Sequence, residues 1–408
     1  MSSVKEYFAA KPRFLCMKLM IVCYFLAKLS DFILQVSGTT SETCFSGLFI
    51  FGDSFVDTGN AAGAFPGRSK DLSGYYAVNG EVSFSDGKLM GDFAALAVGL
   101  SPPSSYLNRD KSSQMGINFA VAGSTVLDDY PAESLSDSNF LLTRTPFNLE
   151  TQIQWWIDLK SQATDGRAPS VDESLHLVLT GATDYLLQYS SNFSHHQVLA
   201  SVPFIVNRIA KNLEELHVSG AQTVLVISLP PLGCTAAFLS MFPGETEDYD
   251  AYGCLKNVNT AILRHNQQLF RAVSRLQRTY KSMASFVFAD FYGSTYDIVK
   301  DPQQFGFDQE TLLRACCGMG EMYNFSRIST CGGIWVGDDG VSQQVLGCGY
   351  PSTRLTWDGF HVSESATRIA VTNFFKGKHV YPARSLLPND CKADFTSFQA
   401  DASSHAAP

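Results

Sequence analysis

The chain has 408 residues, is 45% hydrophobic and 12% aromatic, and carries a formal net charge of −9 at pH 7. Such a length could hold two average domains, although α/β folds often use it as one, and the apolar content is enough for a large core. The acidic balance, with no Lys/Arg cluster after the first residues, argues against nucleic acid and anionic membrane surfaces as partners.

Taken in chain order, the first feature is a leader. Lys5, Lys11, Arg13 and Lys18 precede the apolar stretch Leu19–Ala27, and the small residues Ser37 and Gly38 close it. A basic segment, an apolar segment and small residues are the parts of a cleaved secretory signal, here expected over 1–38. Lys28 and Asp31 interrupt the apolar part and argue against a stable membrane span. Removing these residues takes away five Lys/Arg and two Asp/Glu, leaving 25 basic and 37 acidic residues and a net charge of −12.

Leu48–Phe51 is an unbroken apolar run, which reads as a strand buried on both faces. It ends in Gly52-Asp53-Ser54, with Asp57, Gly59 and Asn60 close behind. Ser54 therefore stands at the carboxyl end of a strand, where parallel sheets gather their catalytic groups. Taken alone, Gly-Asp-Ser is also ordinary turn chemistry. A loop rich in Gly, Pro and Tyr follows over 61–82, and Asp86 is placed to cap a helix through Phe93 and Leu96. The segment 116–125 is a short apolar run breaking at Gly123, and 127–146 reads as a surface excursion. Asn148 then caps a helix that puts Leu149, Ile153, Trp156 and Ile157 on one face.

Further apolar runs at 175–180, 223–229 and 285–290 are separated by helical patterns over 198–217 and 255–281. Strands alternating with helices of this length indicate βαβ units, a mostly parallel sheet and one three-layer α/β domain. A Cys- and Gly-rich excursion spans 305–350, and a last helix is expected over 361–376. The domain is bounded at 39–381, with 382–408 as a C-terminal tail.

Beyond the leader stand eight cysteines: Cys44, Cys234, Cys254, Cys316, Cys317, Cys331, Cys348 and Cys391. An even number in a secreted chain indicates disulfides, but eight cysteines allow about a hundred full pairings. Cys234–Cys254 and Cys44–Cys391 are two of the possible pairs. A zinc site in the Gly-rich segment is the competing reading, disfavoured because no Cys-x-x-Cys pair occurs there. Asn192 and Asn324 begin N-x-Ser sequons and are glycosylation acceptors by pattern.

The second informative stretch is Trp357-Asp358-Gly359-Phe360-His361. An Asp three residues before a His can hold its Nδ1–H and leave Nε2 free as a base. An Asp helix cap beside a surface His explains the same spacing. There is no G-x-S-x-G elbow, no phosphate-binding Gly-rich loop and no H-E-x-x-H, so neither nucleotide nor metalloprotease chemistry has a foothold.

Taken together, these blocks resemble the GDSL esterase/lipase family, the plant branch of the SGNH hydrolases. The resemblance covers Cys44 to about Lys376 in the right block order. It rests on Phe51-Gly52-Asp53-Ser54, on Gly116–Ser124, on Gly181-Ala182-Thr183-Asp184 and on Trp357–His361. It implies a flavodoxin-like sheet of five strands in a three-layer α/β/α domain, with no metal and no organic cofactor. Ser54 is implied as nucleophile, Asp358 and His361 as the rest of a triad, and Ser54 and Gly123 as oxyanion donors. The family pattern departs at Thr183, where an asparagine should supply the third oxyanion donor, and at Val362, where proline is usual. The substrate implied is a small-molecule or lipid acyl ester, and the setting implied is extracellular, in the apoplast or cell wall. A same-family acyltransferase using an alcohol acceptor, and a non-catalytic glycoprotein that binds an ester or wall component, are the alternatives. Aromatic residues of the irregular segments (Phe65, Tyr75, Tyr76, Phe84, Tyr106, Tyr130) could line an acyl groove, but core packing is the preferred reading.

Overall fold

The computed structural model describes residues 43–399, except 66–74, 79–80, 109–114, 129, 131–143, 163–169, 321, 338–339, 384–385 and 389–390. The leader expected at 1–38 lies outside the described residues.

The chain opens with β1 (Leu48–Gly52), a short helix α1 (Asn60–Ala64), and an antiparallel hairpin of β2 (Tyr76–Val78) and β3 (Glu81–Ser83). Next come α2 (Met90–Ala97), β4 (Ser104–Ser105), β5 (Gly116–Asn118), α3 (Leu149–Gln162) and β6 (Leu175–Leu179). They are followed by α4 (Ala182–Ser190), α5 (His195–Val218), β7 (Thr223–Ile227), α6 (Ala236–Met241), α7 (Lys256–Tyr280), β8 (Ser285–Ala289) and α8 (Phe291–Lys300). A second hairpin, β9 (Ile334–Val336) and β10 (Ser342–Gln344), precedes α9 (Glu364–Phe375) and β11 (Val380–Tyr381).

The main sheet has seven strands in the order β11-β8-β7-β6-β1-β5-β4. Its five central strands, β5-β1-β6-β7-β8, are parallel throughout, in the flavodoxin-like order expected. The two edge strands are additions of two residues each, β4 running parallel and β11 antiparallel. All five residues of β1 are buried. Phe49 and Phe51 point to one face and meet the Trp156 ring of α3, at 6.2 and 6.4 Å between centroids. Ile50 points to the other face, where a Cβ on Gly91 of α2 would come within 2.4 Å of its Cδ1. The period of two along the strand thus supplies both core layers. α5 packs between α3 and α7 on one side, and α9 packs on α2 and α8 on the other.

The chain leaves β1 for β5 on one side and returns to β6 on the other. The loops after β1, β5 and β6 therefore meet at the carboxyl end of the sheet, where the strand order switches direction.

Four disulfides join Cys44 to Cys391, Cys234 to Cys254, Cys316 to Cys348 and Cys317 to Cys331. The cysteines of the Gly-rich segment thus pair with one another, and the competing zinc reading gives way. The chain beyond 382 returns to α2: the Asp394 N–H donates to the Ala97 carbonyl at 2.9 Å, and Phe398 lies 4.9 Å from the Phe93 ring. Asp86 does not cap α2. That helix begins at Met90, with Asp92 accepting the Leu89 N–H at 2.8 Å, while Asp86 accepts the Glu364 N–H at the head of α9. The sequence pattern shows a cap but not which helix it reaches.

Candidate active site

Gly52 ends β1 at φ 148°, and a Cβ there would lie 1.8 Å from the Leu179 carbonyl oxygen of β6. Only glycine allows this approach, and it delivers Asp53 and Ser54 to the switch point. Beneath the turn, Gln152 of α3 clamps Gly52 by both backbone groups, each at 2.8 Å.

Asp358 and His361 arrive from the turn just before α9. Asp358 Oδ1 accepts the N–H groups of Phe360 and His361 at 2.9 and 2.8 Å, which closes the turn. Its other oxygen, Oδ2, lies 2.6 Å from His361 Nδ1, and His361 Nε2 lies 2.6 Å from Ser54 Oγ. The surface-His reading is thereby excluded, because His361 is 1% exposed. Burial pushes the Asp358 carboxyl up, but the His361 charge and the bonds donated to it outweigh burial and hold it below its usual value. An ionised Asp358 places the imidazole proton on Nδ1 and leaves the Nε2 lone pair facing the Ser54 hydroxyl. A hydroxyl, an imidazole and a carboxylate in this series can take the proton from the hydroxyl and return it. Phe55, Phe84 and Phe360 surround the imidazole at 5.1–5.3 Å between centroids.

Three further buried carboxylates tie the three loops in pairs. Asp53 Oδ2 accepts the Ala182 N–H at the head of α4, linking the β1 and β6 loops at 3.1 Å. Asp57 accepts the N–H groups of Gly59, Asn60 and Ala61, and also that of Ala122 at 2.7 Å, linking the β1 and β5 loops. Asp184 accepts the N–H groups of Val126 and Leu127 and the Tyr130 hydroxyl, linking the β6 and β5 loops. Burial pushes Asp53 up to about 7, and Asp57 and Asp184 up to about 6.

Gly123 follows Ala122 in this clasp, and Thr183 stands between Ala182 and Asp184. No protein acceptor among the described residues takes the N–H of Ser54 or of Gly123. Thr183 is 3% exposed. Asn192 lies on an exposed turn, whereas Asn324 is partly buried and donates Nδ2 to the Ala315 carbonyl at 2.9 Å.

Sequence reasoning missed Gln152 and the linking roles of Asp53, Asp57 and Asp184. It named Tyr75 only among groove or core aromatics, yet its hydroxyl donates to Asp358 Oδ2 at 2.9 Å. Tyr130 is buried and bonds Asp184, and the half-buried Tyr106 stacks on Trp155 against the core, so both are engaged in packing. The Tyr76 side chain lies outside the described residues.

The family model for GDSL-like lipases and acylhydrolases matches residues 48–374. An esterase of Hevea brasiliensis is 32% identical over 80% of this chain and 84% of its own length. A sinapine esterase of Brassica napus is 30% identical over 89% and 93%, and a GDSL esterase/lipase of Medicago truncatula is 31% identical over 85% and 90%. The chain belongs to the GDSL-like lipase/acylhydrolase family and is a carboxylic ester hydrolase.

Proposed function

We propose that this protein cleaves acyl esters by a two-step serine route carried by Ser54, His361 and Asp358. The observation that carries the reading is the unbroken chain from Ser54 Oγ through His361 to Asp358, at 2.6 Å and 2.6 Å. Ser54 Oγ attacks the ester carbonyl while His361 Nε2 takes its proton. The tetrahedral intermediate collapses, the C–O bond to the alcohol breaks, and His361 returns the proton to the departing oxygen. Water then attacks the acyl-enzyme, giving its proton to His361, and Ser54 leaves as the hydroxyl. The unbonded N–H groups of Ser54 and Gly123 receive the oxyanion, and Thr183 offers a hydroxyl in place of a third, amide donor.

The leader at 1–38 and the four disulfides support secretion, with a glycan on Asn192 and a second acceptor at Asn324. Among the described residues, no helix is long and apolar enough to cross a membrane. The substrate is a small-molecule or lipid acyl ester, of which sinapine, named for one relative, is a first compound to assay.

The test is hydrolysis of short- and long-chain p-nitrophenyl esters by wild type and Ser54→Ala, with fluorophosphonate labelling of both. Hydrolysis and labelling that vanish together in Ser54→Ala support the route. Equal turnover by the two proteins overturns it, and acyl transfer to an added alcohol marks an acyltransferase using the same intermediate.

A further inference from the structure

The hairpin of β2 and β3 pairs Tyr76 with Ser83 at its open end, so Tyr75 and Phe84 are the residues just outside that last pair. Both turn onto the same two side chains. The Tyr75 hydroxyl donates to Asp358 Oδ2 at 2.9 Å, and the Phe84 ring lies 5.3 Å from the His361 imidazole. The two aromatic rings also pack on each other at 5.1 Å, and the next residue, Ser85, donates to the Val362 carbonyl at 3.2 Å. Tyr75, Phe84 and Ser85 are each buried. The open end of the hairpin thus straddles Asp358–His361, one side bonding the carboxylate and the other covering the ring.

We propose that Tyr75 is a positioning residue for the reaction, acting through Asp358 by sharing the carboxylate oxygen that faces His361. The inference rests on the reading that Ser54, His361 and Asp358 carry the chemistry. Asp358 has a fixed set of partners: Oδ1 takes two backbone N–H groups, and Oδ2 takes the imidazole and the Tyr75 hydroxyl. Tyr75 is held well above the ordinary tyrosine range by burial and by the neighbouring carboxylate, so it stays a donor wherever the enzyme works. A donor on Oδ2 does two things. It fixes the carboxylate plane against rotation, and it drains charge from the oxygen that stabilises the imidazolium. Without it, Oδ2 belongs to His361 alone, and the protonated imidazole becomes easier to form and harder to discharge.

Among the described residues, the other titratable groups around the pair are few. Asp53 acts on His361 from the β1 loop, and Asp86 and Glu364 meet at the head of α9. The elements packed on the ring otherwise present Phe55, Phe84 and Phe360. None of these is altered by removing one oxygen from Tyr75, so a change in pH dependence reports on that hydroxyl.

The experiment compares wild type, Tyr75→Phe and Ser54→Ala, as full secreted chains, on one p-nitrophenyl ester across pH 5–9. For Tyr75→Phe, the acid limb of kcat/KM is expected to move upward by roughly half to one pH unit, and kcat on the plateau to fall several-fold with KM unchanged. An acid limb at the wild-type position overturns the proposal, even if activity falls, because a merely structural role lowers activity without moving the limb. The His361 Nδ1 proton resonance, titrated in the resting protein, gives the same midpoint without turnover if Tyr75→Phe is too slow to assay. Should Ser54→Ala hydrolyse as well as wild type, the triad reading fails. A dead Ser54→Ala beside an unshifted Tyr75→Phe sinks the role of Tyr75 alone.

Discussion

Asp53 Oδ2 accepts the backbone N–H of Ala182 at 3.1 Å, so the residue before Ser54 holds the residue before Thr183. The neighbouring carboxylates Asp57 and Asp184 complete the ring of loops around the switch point. Because these carboxyls are buried without a paired cation among the described residues, their protonation is linked to folding.

For Asp53 the direction follows from burial, which raises the carboxyl from 3.8 to about 7 in the folded protein. A raised acid favours the folded state most below its unfolded value and loses that contribution as pH climbs through its folded value. Asp57 and Asp184, raised to about 6, act in the same sense. Asp358, held low, acts oppositely and only below about pH 4. The buried imidazoles of His176 and His265, pushed down from 6.5 to about 4 and about 3, also act oppositely, and they do so as pH falls below about 6.5. The carboxyls act unopposed between pH 8 and about pH 6.5, so the thermal midpoint is expected to rise as pH falls across that window. Asp53→Asn should flatten that rise. A midpoint that falls from pH 8 to 6.5 would contradict the linkage.

Gly52 leaves no room for a side chain. An alanine there has to displace the Leu179 carbonyl, 1.8 Å from the new Cβ, across two hydrogen-bonded central strands. Neither strand can yield without breaking the ladder. Gly52→Ala is expected to destabilise by at least about 3 kcal/mol in urea denaturation. Gly349→Ala, with nothing within 4 Å of the added carbon, is the control and should unfold like wild type. Equal midpoints for the two variants would show that the β1 turn tolerates a side chain.

How much of this could be read in advance depends on the range of each interaction. β1, β6, β7 and β8 are legible because a strand buried on both faces writes itself as an apolar run. The edge strands β4 and β11 are two residues long and have no such run. Asn148 shows itself as a cap because its partner, the Thr151 N–H, is three residues away. Asp86 reaches 278 residues to Glu364, and Tyr75 reaches 283 residues to Asp358. No local pattern carries such contacts. Ser54 and His361 are 307 residues apart and were linked in the sequence only through a family resemblance.

The sequons differ in their surroundings. Asn192 is exposed, at φ 59°, whereas Asn324 is partly buried and uses its Nδ2 on the Ala315 carbonyl. A glycan on Asn324 has to share or displace that bond, so Asn192 should carry the higher occupancy. Peptide mass analysis of the protein made through a eukaryotic secretory pathway, before and after enzymatic deglycosylation, measures both sites. Higher occupancy at Asn324 would run against this argument.

Thr183 sits between two anchored residues. Its backbone is pinned on both sides, Ala182 by Asp53 and Asp184 by the Val126 and Leu127 N–H groups, so the side chain at 183 has a fixed origin. Among the described residues no group bonds the Thr183 hydroxyl, and β-branching leaves that hydroxyl few rotamers. An asparagine at this origin extends one atom further and presents an N–H donor. Removing one donor from an oxyanion site costs about 10²–10³ in kcat, so restoring one should recover a sizeable part of that range. Thr183→Asn is expected to raise kcat by roughly 10- to 100-fold on p-nitrophenyl esters, with KM little changed, since the donor acts on charge that exists only in the intermediate. Thr183→Ala separates the two roles of the present residue. A several-fold loss means the hydroxyl already reaches the oxyanion, and no loss means the site works with two backbone donors. If Thr183→Asn leaves kcat unchanged while Ser54→Ala abolishes it, position 183 does not face the reacting carbonyl, and the two-donor site is all that this enzyme uses.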